Sequence, residues 1–361
     1  MSPEDNGIHE TSYHPVDVRF FHERIIPFIR GEKEIDDLVE DAVRLAKVRL
    51  RTNAWGYALV RLYMDEVRRQ EKLKRKQEGG GGLLGRLFGK PKAEPAKADE
   101  PGAAPSPAGA FNPHVHFWGR PFLVGRADVS AAIDRYLAAA PEDVDSIARE
   151  EILAFSPALE EMQPLEDAGH LLPDEDLARD VRGTLDVLQE AYAARKAGKR
   201  VELPSGEEVD PQEIFASDFL HASLQFASIF RPGWMGRDVW PSKLLAGAGI
   251  QDAPGWETPL ALAEPMLGEL PSLRDALKRE LGESSLVGGY VRPENVSRFK
   301  AFLDENREAL LAAPRKEGEE QGAVAERELG KIREALDDAE RRKMGFCEAA
   351  EVYNGQQGAT N

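Results

Sequence analysis

The chain has 361 residues, 42% apolar and 31% charged, with 47 Lys and Arg against 64 Asp and Glu. That length suggests two or three domains, and the net charge of −17 argues against a general nucleic-acid binder or a protein drawn broadly to anionic lipid. A single cysteine, Cys347, excludes an internal disulfide and a thiolate zinc site.

The first residues, Met1 to Gly7, have neither the basic stretch nor the apolar stretch of a signal peptide. The best charge-free apolar run, 219–230, is shorter than the ~20 residues a spanning helix needs. The expectation is a cytoplasmic, bacterial-type protein with no transmembrane segment.

A polar tail and an aromatic-rich stretch over 13–29 lead into a long helical pattern. Ile35, Leu38, Val39, Ala42, Val43 and Ala46 recur at three and four. A second set follows at Trp55, Leu59, Leu62, Tyr63 and Val67. Thr52, Asn53 and Gly56 between them lower helix propensity, so two helices, or one kinked helix, are expected. A basic run over 72–76, four glycines over 79–82 and a tract of Ala, Pro, Lys and Glu come next. That tract buries too little apolar surface to offset the entropy of ordering it. Residues 78–110 read as a disordered linker carrying a short apolar island at 83–92.

Residues 111–125 read as extended or as one short strand. Helices are then expected over 128–139, from Pro141, and from Pro173, where proline suits a first helical position. On the last of these Leu177, Val181, Leu185, Leu188 and Tyr192 share a face, and Gly198 is a C-terminal stop. Residues 200–209 read as a hairpin around Pro-Ser-Gly. Asp210-Pro-Gln-Glu213 has capping-box spacing, with Asp210 expected to accept from the Glu213 amide. The helix it opens carries Phe215, Phe219, Ala222, Phe226 and Phe230 and is expected to be the central core helix. Further helices are expected over 272–281, from Pro293, and over 319–344. The last of these has a strongly charged surface and is expected on the outside. The fold class is mainly α, with one or two short hairpins. The division is an N-terminal helical module over 1–77, a linker over 78–110, and a mainly helical domain over 111–361 with a sub-boundary near 250.

Residues 141–190 hold 15 acidic side chains and 3 arginines, so −12 of the −17 is local. Asp174, Glu175 and Asp176 are its densest run. Such a surface suits a basic protein partner, because charge complementarity sets specificity and on-rate. The loop 231–241 carries Arg231, Trp234, Arg237 and Trp240, and Trp and Arg are enriched at binding hot spots. The basic run and island over 72–92 could touch a membrane weakly.

His114 and His116 would share a face of a strand and could begin a zinc site if further ligands converged. No His-Glu-x-x-His helix accompanies them. His221 shares a helical strip with Asp218 and Gln225, a spacing that can orient an imidazole for proton transfer. Cys347 follows a basic turn that could lower its pKa. Phosphate-loop, dinucleotide, kinase and hydrolase-elbow motifs are absent, so no cofactor is expected. The expected function is non-enzymatic: an adaptor, antidote or assembly subunit that binds another protein through the acidic helical surface and the Trp/Arg loop, and does not bind nucleic acid. The alternative is a metal-dependent hydrolase built around His114 and His116.

Overall fold

The structure is a computed structural model, and it describes residues 11–79, 119–165, 173–203, 206–236, 239–283, 287–313, 323–350 and 352. Most of the expected linker, 80–110, lies outside the described residues, as do His114, His116 and Arg237.

The fold is mainly helical, as the periodicity predicts. Strand β1 (Thr11–Val16) leads through short helices α1 (Val18–Phe20) and α2 (Ile26–Ile29), joined by a π-helical turn, into α3 (Asp36–Gly79). Then come α4 (Val129–Ala138), α5 (Val144–Phe155), α6 (Asp174–Lys196), the β2–β3 hairpin (Val201–Glu202 and Glu208–Val209) and α7 (Pro211–Phe230). The last third holds β4 (Trp234–Met235), α8 (Pro241–Gly247), β5 (Trp256–Glu257), α9 (Leu260–Glu269) and α10 (Pro271–Glu283). It closes with β6 (Val287–Val291), α11 (Val296–Glu305), α12 (Arg307–Ala312), α13 (Ala323–Arg342) and β7 (Gly345–Ala350).

Helix α3 is one continuous helix rather than two. Tertiary contacts override the weak propensity at its middle. Thr52 turns its hydroxyl onto the Val48 carbonyl at 2.8 Å. Trp55 and Leu59 are buried with Leu123, Ala148, Ile152, Leu159 and Met162 in a satellite cluster. Arg51 grips Asp145 with two bonds of 2.6 and 2.7 Å, and the Trp55 indole donates to the same carboxylate at 2.9 Å.

Gly125 belongs to the same corner. A Cβ there would overlap the Glu151 carbonyl oxygen, which is backbone and cannot swing away. Gly125→Ala is expected to destabilise the protein by roughly 1–3 kcal/mol, read as a lower urea midpoint. An unchanged midpoint would show that the 119–128 segment can lift off α5 freely.

Helix α7 is the core helix that its phenylalanines predict. It packs against α3, α6 and α10, with Phe215, Phe219 and Phe226 buried. Its cap differs in one bond from the expectation: Asp210 Oδ1 accepts from the Gln212 amide at 2.8 Å, while the Glu213 amide goes to the Asp210 carbonyl. The expected hairpin is present as β2–β3.

The five-stranded antiparallel sheet, in the order β4-β1-β7-β6-β5, joins the two ends of the chain. Thr11 pairs with Ala350 and Val16 with Gly345. The main core runs from Tyr13 to Val352, drawing on residues from both sides of the expected 1–77 and 111–361 division; Leu244, Leu245 and Leu262, on either side of residue 250, belong to it as well.

Helix α13 departs from the expectation of a surface helix. It packs against β1, β4 and β7 on one side and α11 on another. The charged residues that go in with it are paired, Lys331 with Glu328 at 3.0 Å, Arg342 with Asp338 at 2.8 Å, and Glu334 with Arg120 and the Trp234 indole, while Glu326, Arg333, Asp337 and Arg341 stay exposed on the far face. Of the segment 111–125, residues 111–118 lie outside the described residues, 119–122 form a turn and bends, and 123–125 belong to no strand, with Phe122, Leu123 and Val124 buried.

Candidate functional site

The C-terminal end of α7 opens into a cleft of about 540 Å³, within the size range of ordinary ligand sites. Five stretches far apart in sequence line it, among them Pro15, Phe20, Leu45, Leu137, Phe230, Arg231 and Met344. Phe20 and Phe230 are both partly exposed and tilt against each other at 5.4 Å, with buried Phe226 behind them at 6.3 and 5.5 Å. They form an aromatic wall.

The charges in the cleft are unequally satisfied. Asp41 is held by Arg44 at 2.7 Å, and Arg44 also donates to the Leu137 and Ala139 carbonyls. Asp134 accepts from Arg341 at 2.5 Å and from Arg342 at 2.6 Å. Asp17 caps α1 through the Arg19 amide at 3.0 Å and lies 3.7 Å from the Arg19 guanidinium. Arg231 differs. Its guanidinium is half-buried, and among the described residues it makes one bond, to the adjacent Phe230 carbonyl at 3.3 Å, and pairs with no carboxylate. Burial and the nearby Arg342 charge lower its pKa, while Asp134, Asp338 and Asp17 act the other way. Arg231 is the C-cap residue of α7 through its amide, which bonds the Ala227 carbonyl, but its guanidinium is not the main side-chain donor at that helix end. Arg49, itself drawn down to about 9 by burial, already donates to the Ser228 and Ile229 carbonyls there. A half-buried cation beside an aromatic wall can accept a carboxylate in a bidentate grip.

The tryptophans that follow Arg231 in the loop face inward. Trp234 is fully buried on β4, with its indole 3.0 Å from Glu334. Trp240 is buried at the start of α8, with Lys243 above its ring. They hold the loop that presents Arg231.

The acidic run lies at the N-terminus of α6, where carboxylates suit the helix dipole. Asp174 pairs with Lys47 at 2.5 Å and Asp176 with Arg179 at 2.9 Å, while Glu175 is exposed. Much of the block 141–190 is likewise matched: Asp145 with Arg51, and Glu150 and Glu151 with both Arg126 and Arg135.

The other candidates meet ordinary partners. Asp218 accepts from Ser217 at 2.9 Å, and the His221 Nε2 lies 3.0 Å from the Ala350 carbonyl. Cys347 is buried between His14 and Tyr290 in the sheet register. Burial first, and the Glu348 charge second, push its thiol well above the ordinary range, the opposite of an activated nucleophile. Among the described residues no group of three or more His, Cys, Asp and Glu is placed to hold a metal ion, and no helix is long and apolar enough to cross a membrane.

Sequence reading singled out Arg231 for its loop and Phe230 for its helix face. It had no signal for Phe20, Arg44 or Asp134, which reach the cleft only through folding. Comparison with protein-family models finds no match, and comparisons with curated proteins and with solved structures find none either.

Proposed function

We propose that the chain is a non-enzymatic binding protein for another protein, and that the partner inserts a group into the cleft at Arg231. The observation that supports this reading is the half-buried Arg231 guanidinium, which among the described residues pairs with no carboxylate, while Asp41 and Asp134 are held by other arginines and Asp17 accepts from the Arg19 amide. A half-buried charge left unpaired is costly in the free protein, so a partner that supplies its counter-charge gains from that site. The acidic balance of the chain favours a basic partner overall. Exposed carboxylates such as Glu175 on α6 would speed its approach rather than fix its affinity.

The test is capture of a stoichiometric partner from native lysate by the tagged full-length protein, beside its Arg231→Gln variant. Retained partner is expected to fall about tenfold or more in the variant, with circular dichroism unchanged and the thermal midpoint no lower than that of the wild type. Equal capture by both proteins would remove the cleft from the reading.

A further inference from the structure

Resting on that reading, we infer that the cleft takes the C-terminal residue of a partner chain, with the free carboxylate on Arg231 and a large apolar side chain against Phe20 and Phe230.

Three features of the cleft select this chemistry. The first is the available cation. Arg231 offers the planar fork that matches a carboxylate, and among the described residues its guanidinium makes one bond, a 3.3 Å contact to the Phe230 carbonyl. Arg44, Arg341 and Arg342 are already engaged with Asp41 and Asp134.

The second is the count of negative charge. Asp17, Asp41 and Asp134 line the same cleft. A phosphate near −2, or a run of acidic residues, would meet them as repulsion. One carboxylate, matched to one guanidinium, does not add an unpaired charge.

The third is the wall. Phe20 and Phe230 remain partly exposed, and Pro15, Leu45 and Met344 continue the apolar lining. A terminal residue bears its carboxylate and its side chain on one Cα. It therefore reaches the cation and the wall together, without further backbone in the cleft. Capture of a chain-terminal carboxylate is an established mode of peptide recognition.

The experiment immobilises the full-length protein and offers it a pool of peptides with four randomised C-terminal residues. A second pool is identical but C-terminally amidated, and bound peptides are read by mass spectrometry. The free-acid pool is expected to be enriched about tenfold or more in Phe, Trp, Leu or Met at the last position. The amidated pool should show no such enrichment. Arg231→Gln should abolish the preference and Arg231→Lys should retain part of it, because a lysine keeps the charge without the fork.

No enrichment of the free-acid pool, equal enrichment of the amidated pool, or enrichment that survives Arg231→Gln would overturn the inference. So would displacement of the best peptide by 3-phenylpropanoate at equal concentration, which would make the occupant a free small acid. Arg231-dependent capture of a lysate partner with no preference for a free carboxylate would sink this inference alone. Failure of both would sink the protein-binding reading with it.

Discussion

Taking the protein from pH 7 to pH 4 is expected to remove about 3 kcal/mol of stability through His14 alone. His14 sits in the middle of β1, fully buried, across from Cys347, and among the described residues neither ring nitrogen has a hydrogen-bond partner. Burial first, and the nearby His221 second, lower its pKa to about 3. The sign follows from proton binding. Between the unfolded value of about 6.5 and the folded value of about 3, the unfolded chain holds a proton that the folded one refuses. Stability is therefore unaffected above the unfolded pKa and is lost progressively as the pH falls toward 3.

Other groups titrate in the same range. Asp145, Glu150 and Glu340 are held low by Arg51, Arg135 and Lys300, and they add to the acid loss. Buried Glu348, whose carboxyl is raised by burial, works in the opposite sense. The measurement is therefore a difference. Urea unfolding of the wild type and of His14→Leu at pH 7, 5 and 4 should show a shallower pH slope in the variant. Identical slopes would mean that His14 gains a proton in the folded state and that the strand opens to let it.

Trp234→Ala is expected to cost about 3–5 kcal/mol, enough to threaten the fold rather than to disarm a binding surface. Trp234 is fully buried, and β4 pairs with β1 through Trp234 and Tyr13. Its indole donates to Glu334, which also receives Arg120 from the 119–128 segment. Truncation opens a cavity at the edge of the sheet and removes one of the bonds that tie α13 to it. Trp234→Phe keeps most of the ring and drops the donor, so its cost should be nearer 1 kcal/mol. Denaturant midpoints of the two variants, with near-ultraviolet circular dichroism, check this order. A Trp234→Ala protein of unchanged stability that no longer held its partner would return the tryptophan to the binding surface. Because Arg231 is half-buried at the lip of the same loop, Arg231→Gln is the substitution that separates binding from folding.

Where the sequence was legible, local spacing carried the signal. The apolar stripe of α6, the phenylalanine face of α7 and the turn of the β2–β3 hairpin each follow from residues within a few positions of one another. Where it was illegible, the partner lay far away. All six residues of β1 and all six of β7 are buried, so neither strand shows the alternation that marks a half-exposed strand. Ser12 meets the Ala349 carbonyl across 337 positions of chain. Of the two outcomes expected at Thr52-Asn53, the split into two helices does not occur, because Asp145 and the satellite cluster hold the middle of α3 in place. The charged face of α13 suggested solvent, but buried charges are tolerated when paired, and their partners come from Arg120, Asp134, Trp234, the Met235 carbonyl and one another.

The sequence by itself determined a mainly helical class, the positions of most helices, the dominance of α7 in the core and the lack of a long apolar run among its segments. Those properties depend on composition and on periodicity over one or two turns. The tertiary structure alone decided which charges are spent. It turned an acidic block into ion pairs with Lys47, Arg51, Arg126 and Arg135 and buried two tryptophans that looked like a surface. It also left Arg231 beside Phe20 and Phe230 with no carboxylate partner among the described residues. Pairing of charges is a matter of a few ångströms between residues tens to hundreds of positions apart, and only the folded chain sets those distances.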